Sequence, residues 1–283
     1  MQSILITGAN KGIGLAVVKA ILREQPHYRV LLGSRDHGRG EAAVAKLMAE
    51  TGSSADNVEA IPLDVTSEQS VAQAAARVQG ELAGLVNNAG IASGSLADIL
   101  NVNVYGMQRV SQHFSSLLED GGRVVNVASA SGPNYVSACS VEWQTFFQDD
   151  QLEWAELDEL MRRCMNSSAA EMEQRGLPSS GYYGLSKASA NLLSLITARE
   201  NPRLLVNACT PGYIETDLTR EMTGASGAAA AQMGMKQPDA GARVIMQLLF
   251  EPLEVSGHYF GSDGLRSPLD RYRSPGSPAY TGN

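Results

Sequence analysis

The stretch Thr7-Gly8-Ala9-Asn10-Lys11-Gly12-Ile13-Gly14 follows an apolar run, Gln2 to Ile6. It opens a segment in which Ile13, Ala16, Val17, Ala20 and Ile21 recur at helical spacing until Pro26. That order reads as a buried strand, a glycine-rich turn and a helix. Gly8, Gly12 and Gly14 let backbone come close to a pyrophosphate. The helix N-terminus offers that phosphate free N–H groups and a partial positive charge. The spacing is G-x-x-x-G-x-G rather than the usual G-x-G-x-x-G of dinucleotide sites, but the strand–turn–helix context is the one such a site needs. Asn10, Lys11 and Ile13 join the three glycines as candidate cofactor contacts.

A second strand, about Tyr28 to Gly33, runs into Ser34-Arg35-Asp36-His37-Gly38-Arg39. At this strand end an acid would bond the adenosine ribose of NAD, whereas an arginine accommodates the 2′-phosphate of NADP. Arg35 comes first and Asp36 only afterwards, which favours NADP(H). Arg39 and Lys11 add positive charge nearby, although Arg39 reads equally well as part of a solvated loop. Ile61 to Val65 reads as a third strand, with Asp64 at its end toward an adenine. Leu85 to Gly90 reads as a fourth, running into small residues that let backbone pass close to a ligand.

Two further positions carry candidate chemistry. Ser129 ends a fifth strand, Arg123 to Ser129, and ligands of open parallel sheets bind at the carboxyl ends of strands. Tyr183 and Lys187 stand four apart in Tyr183-Gly184-Leu185-Ser186-Lys187, on one face of a helix. A neighbouring cation is expected to lower the phenol's pKa from about 10, as a proton donor near neutrality requires. Asn103, polar within the apolar start of a helix, is open between a structural and a catalytic role on the pattern alone.

Taken in order, TGANKGIG, NNAG, NVYG, VVNVAS, YGLSK and Pro211-Gly212 resemble the short-chain dehydrogenase/reductase family over residues 2 to about 217. The resemblance implies a Rossmann-type fold and a catalytic tetrad of Asn103, Ser129, Tyr183 and Lys187. It places Gly8, Gly12 and Gly14 under the pyrophosphate, and Asp64 with Val65 beside the adenine. Asn87, Ala89 and Gly90 would line the cofactor cleft, and Pro211, Gly212 and Thr216 would flank the nicotinamide. Ala128 departs from the second serine often found there. Ser129 and Tyr183 are 54 positions apart, much farther than in most of the family. The intervening insert, about Asn134 to Ser180, is similar to that of monomeric NADPH-dependent carbonyl reductases. In the family the YxxxK helix usually packs on its copy in another subunit, so an insert covering it implies a monomer.

The rest of the chain fits one α/β unit. Alternating strand and helix patterns, with later strands at Leu204 to Cys209 and Gly257 to Phe260, predict a doubly wound parallel sheet of about seven strands. The expected organisation is a single catalytic domain over residues 1–264, with a helical insert at 134–180, a substrate flap at 218–235 and a tail at 265–283. The flap's Gly/Ala/Met content suggests mobility, and the Pro/Ser/Arg/Gly-rich tail is expected to be extended or disordered. Only one residue precedes the first strand, so no targeting peptide is expected. No apolar run of 18 residues offers a membrane span. Cys139, Cys164 and Cys209 have no metal or redox spacing and read as free thiols of a reducing cytoplasm.

A net charge of −8 argues against nucleic acid or an anionic membrane as partner. The insert holds nine carboxylates against three arginines, a net of −6, which leaves the cofactor-binding remainder close to neutral. Within it Trp154, Leu157, Met161, Cys164 and Met165 form one apolar helical stripe. Trp143, Phe146 and Phe147 are candidates for a substrate-pocket wall. None of the four histidines is required; His113 and His258 read as structural. The resemblance thus implies an enzyme that reduces a small carbonyl substrate with NADPH, Tyr183 acting as general acid. The alternative from another class is a non-catalytic NADP(H)-binding sensor or scaffold. It has no use for Ser129, Tyr183 and Lys187 together. An extended-branch epimerase or dehydratase would instead prefer G-x-x-G-x-x-G in the first loop.

Overall fold

Ser3–Ile6 is buried at every position, as expected of a parallel strand covered on both faces. In the computed structural model, which describes residues 1–282, this strand (β1) is central to a seven-stranded sheet. Its other strands are β2 (Arg29–Ser34), β3 (Val58–Pro62), β4 (Leu82–Asn87), β5 (Leu118–Val127), β6 (Leu205–Cys209) and β7 (Tyr259–Phe260). They lie in the order β3-β2-β1-β4-β5-β6-β7, and all neighbours are parallel. Chain order reverses between β1 and β4, and a ligand cleft opens at such a point, outside the carboxyl ends of the strands.

Helices cover both faces. On one side α1 (Gly12–Glu24), α2 (His37–Thr51) and α13 (Pro238–Phe250) bury Val17, Ile21, Leu47 and Ile245 against the sheet. On the other lie α3 (Glu68–Ala75), α4 (Leu96–Leu100), α5 (Gly106–Phe114) and α10 (Tyr182–Glu200). The expected seven-strand doubly wound sheet is therefore present, with shifted boundaries. The third strand starts at Val58 and ends at Pro62, because Asp64 leaves the ladder to accept bonds from the Thr66 amide and hydroxyl.

The insert folds as α6 (Ser131–Ser137), α7 (Val141–Phe146), α8 (Trp154–Met165) and α9 (Ala169–Gln174). Leu157, Leu160, Met161 and Cys164 of α8 join one apolar cluster with Leu185, Ala188, Leu192 and Ile196 of α10. Between the insert on one side and the sheet on the other, α10 is buried continuously from Gly184 to Ala198. The segment after Gly212 carries α11 (Asp217–Thr223) and α12 (Ala228–Gln232). Among the described residues the tail has no helix or strand, yet it is tied down: Ser267 donates its amide to the Tyr259 carbonyl, Tyr280 donates its amide to the Arg266 carbonyl, and Ser267 is buried. An extended or disordered tail was the expectation from its composition. Specific polar contacts, which composition does not report, hold it in place. Asn283, the last residue of that expected tail, lies outside the described residues.

Candidate active site

Helix α1 begins differently from five other helices. Asp36, Ser67, Ser95, Ser168 and Thr216 each cap a following helix with a side-chain oxygen. Lys11 stands at the equivalent position of α1, in extended conformation and with no side-chain cap bond. The first-turn amides therefore have no acceptor from the cap, which suits an anion. Gly8 takes φ +61°, and a Cβ there would lie 2.9 Å from the Ala89 Cα; one on Gly14 would lie 2.5 Å from the Asn88 amide nitrogen. No other residue fits this turn. Thr7 and Asn88 fix its shape. The Asn88 amide donates to the Thr7 and Gly8 carbonyls, and the Thr7 hydroxyl accepts from the Asn88 and Ala89 N–H groups. Sequence reasoning passed over both residues, although Asn88 stands inside the quoted NNAG.

The other expected cofactor contacts divide. Asn10 and Ile13 sit in the turn, but the Ile13 side chain packs against α13, leaving its backbone as the available group. Lys11, expected to add free positive charge, instead has its Nζ 2.6 Å from Asp217 Oδ2, because α11 reaches across the turn. Thr216, the cap of α11, stands beside Gly12. Arg35 is exposed and has no carboxylate within ion-pair distance among the described residues, whereas Asp36 is engaged. It caps α2 through the Arg39 amide, and its other oxygen is 3.4 Å from Arg39 Nε. Asp64 is half-buried beyond β3, and Val65 is buried under Gly106. Asn87 turns away from the cleft. Its amide donates to Asn126, which donates to Ser194 of α10. Cross-strand pairing of Asn87 with Asn126 explains this: both side chains share the sheet face that α10 covers. Ala89 stands against Gly8, and Gly90 against Asn103 and Lys187. Pro211 is buried, and Gly212, at φ +91°, is packed on Ser262.

The four candidate catalytic residues come from three elements, Tyr183 and Lys187 sharing α10, and meet at one place. Asn103 lies in a single π-helical turn, Asn101–Tyr105, between α4 and α5. Such turns recur at functional sites. Its amide donates to the Ile91 carbonyl and to Ser186 Oγ, each at 2.9 Å, and its oxygen accepts from the Ile91 N–H. A Cβ on Gly90 would touch both Asn103 Oδ1 and Lys187 Nζ, at 3.2 and 3.7 Å. Lys187, 4 % exposed, donates to the Val127 carbonyl at 2.8 Å and stands 5.6 Å from the Tyr183 ring centre. Ser129, two residues past β5, accepts from the Ser131 N–H. Its own proton has a 3.3 Å contact with Ser131 Oγ, stands within reach of the Tyr183 phenol and can turn to a ligand. Thr210 steadies this corner by accepting from the Ala130 and Gly212 amides.

Burial governs the titration of this cluster. It pushes the Tyr183 phenol up to about 12, with the Ser129 hydroxyl pulling the other way. It also pushes the Lys187 ammonium down to about 8, opposed by the Cys209 thiol. The expectation that the cation would bring the phenol below 10 does not hold for the protein alone. Lys187 is itself desolvated, and the low-polarity surroundings disfavour both charged forms.

Beside Ser129 lies a cavity of about 250 Å³, walled by Tyr213, Tyr259, Ser262, Tyr272 and Arg273. Trp143, expected as a pocket wall, is elsewhere. Its indole donates to the Arg175 carbonyl, and it borders a separate cavity of about 260 Å³ within the insert. Phe146 packs edge-on against it, and Phe147 is buried in the insert core. No cluster of three metal-ligating side chains occurs among the described residues.

A parallel sheet with a glycine turn at its switch point, and a Ser–Tyr–Lys set at the next strand end, defines a dinucleotide-dependent class of α/β protein. The chain belongs to the short chain dehydrogenase family, whose sequence model matches residues 2–141. It is 33 % identical to carbonyl reductase (NADPH) 1 of Pongo abelii over 277 residues, 91 % of this chain and 94 % of that protein. With carbonyl reductase (NADPH) 3 of Rattus norvegicus the identity is 35 % over 236 residues, 77 % of this chain and 83 % of the other. Among solved structures it resembles salutaridine reductase from Papaver somniferum, with a TM-score of 0.77, 25 % identity, and 92 % and 99 % of the two chains covered.

Proposed function

We propose that the protein is an NADPH-dependent carbonyl reductase acting on a small ketone, aldehyde or quinone. The convergence of Tyr183 and Lys187 with Ser129, which lines the cavity, carries this reading. The turn fits a dinucleotide, because a side chain at Gly8 or Gly14 would fill it and the amides above it have no cap. NADPH supplies a hydride when bound. Ser129 turns its loosely held proton to the carbonyl oxygen of the substrate and stabilises the negative charge that develops there. Tyr183 then gives its proton to the alkoxide, which is more basic than a phenolate, so the step runs downhill even from a pKa of about 12. Lys187, cationic below about pH 8, steadies the phenolate left behind. Asn103 positions the loop at Gly90 and Ile91 against α10 through Ser186.

Selectivity for NADPH rests on Arg35 and Asp36. Asp36 is occupied by the α2 cap and Arg39, whereas the Arg35 guanidinium is unpaired among the described residues. The protein should oxidise NADPH far faster than NADH when given a panel of aldehydes, ketones and quinones. Arg35→Ala should raise the KM for NADPH about tenfold or more, the worth of a charge-assisted phosphate contact, and leave that for NADH almost unchanged. If both rise together, Arg35 does not read the 2′-phosphate. If no carbonyl compound is turned over, the reading as a reductase is wrong.

The continuous burial of α10 under the insert supports a monomer, since the face that pairs in relatives with two subunits is already covered. Sedimentation at micromolar concentration should give the 30.0 kDa mass; twice that mass overturns this reading. Three buried free thiols accord with a cytoplasmic location. No helix among the described residues is long and apolar enough to cross a membrane.

A further inference from the structure

The tail is anchored by one arginine. The Arg273 side chain is 7 % exposed, and its guanidinium meets Asp263 through Nη2. Its Nε donates to Ser267 Oγ at 3.0 Å, and Nη1 donates to the Ser277 carbonyl at 2.7 Å. Asp263 in turn accepts from the Gly276 amide at 3.0 Å and from that of Leu265. Burial raises the Asp263 pKa, but these bonds outweigh it and hold the carboxyl below its ordinary range. One ion pair thus closes the chain segment 263–277 on itself, and that segment is a wall of the cavity beside Ser129. Tyr272 and Pro275 line it from the tail, opposite Tyr213.

No carboxylate, lysine or histidine lines this cavity, and the charge of Arg273 is spent on Asp263 and on backbone carbonyls. Its volume of about 250 Å³ exceeds the ~150 Å³ that accommodates a benzene ring. Tyr272 is half exposed, so its ring can be covered by a ligand without disturbing a core.

We propose that Arg273 is a positioning residue for substrate, fixing the tail so that the Tyr272 ring forms the outer wall of the cleft for an uncharged ring-bearing carbonyl compound. The proposal rests on the carbonyl-reductase reading. It assigns Arg273 no contact with reacting atoms; the residue acts through Tyr272 and Pro275.

Steady-state kinetics on a fused-ring quinone and on a small aliphatic diketone provide the test, with Arg273→Met, Arg273→Lys and Tyr272→Ala beside the wild type. For the quinone, Arg273→Met and Tyr272→Ala should each raise KM roughly tenfold or more, the scale on which misplaced binding groups act. The KM for the diketone and the NADPH dissociation constant should move less than about twofold, and Arg273→Lys should recover part of the loss. Tyr272→Ala leaves the ion pair intact, so it decides the matter if Arg273→Met does not fold. Equal loss on both substrates together with weakened NADPH binding would make Arg273 merely structural and overturn the proposal. Unchanged quinone KM in folded variants would overturn it as well. If the wild type turns over neither compound, the reductase reading fails separately. Calorimetric binding of the quinone to wild type and Tyr272→Ala then decides the wall by the same comparison.

Discussion

Tyr183→Phe is expected to lower kcat by about a hundredfold to ten-thousandfold, the range that a positioned general acid contributes, while NADPH binds nearly as before. Phenylalanine keeps the ring and loses only the hydroxyl. The packing of α10 and the glycine turn is untouched. What disappears is the proton destined for the alkoxide, which no other group at this corner replaces: Ser129 is a far weaker acid, and Lys187 donates to the Val127 carbonyl. Fluorescence titration with NADPH and single-turnover kinetics separate binding from chemistry. A variant that binds NADPH and retains its rate would remove Tyr183 from the mechanism.

The wild-type pH profile carries a companion outcome. With its phenol near 12, Tyr183 stays protonated throughout the working range and adds no limb of its own below that value. Lys187 is the group that titrates. The cation is present below about pH 8 and lost above it, so kcat/KM for carbonyl reduction should be flat toward neutrality and fall as pH rises through that value.

The direction of those two shifts was beyond the reach of the sequence, and the reason is instructive. Four-residue spacing puts Tyr183 and Lys187 on one helix face, and a spacing argument sees only the pair. It does not see that the folded chain buries the same helix from Gly184 to Ala198 and desolvates both groups. The parallel α/β sheet, the glycine turn and the strand-end serine were legible because each is written in local pattern: apolar runs, helical periodicity, small residues at a joint. The fate of Asn87 was not. A side chain at a strand end points toward cleft or sheet according to register, and register is a property of two strands. Nor was the tail's role, since Arg273 and Asp263 read as two unremarkable surface charges until the chain between them folds into a loop. Trp143 and the Phe146-Phe147 pair misled in the opposite sense: aromatic residues near a site read as pocket, and here they build the insert's own core.

Lys187→Met should abolish turnover and yet stabilise the folded protein near neutral pH. The burial that sets Lys187 apart depresses its pKa from 10.5 to about 8. Below pH 8 the ammonium is charged in both states, and the folded chain bears the whole penalty, on the order of 3 kcal/mol. Between about 8 and 10.5 the unfolded chain keeps the proton while the folded chain has released it, so wild-type stability climbs with pH across that window. Methionine has similar length and no charge, and it carries no such dependence. Losing the bond to the Val127 carbonyl offsets part of the gain, by about 1 kcal/mol or more. At pH 7 the variant should therefore be the more stable of the two by about 2 kcal/mol. Toward pH 10.5 the difference should reverse, moving in total by about 3 kcal/mol. Urea unfolding of both proteins at several pH values measures it, and other titrating groups cancel in the comparison. Stability curves that stay parallel from pH 7 to 10.5 would mean that Lys187 is not held as a buried cation. The requirement that a cation stand beside Tyr183 then loses its energetic signature. A crossing would show the fold sacrificing stability to keep that charge where the phenolate forms.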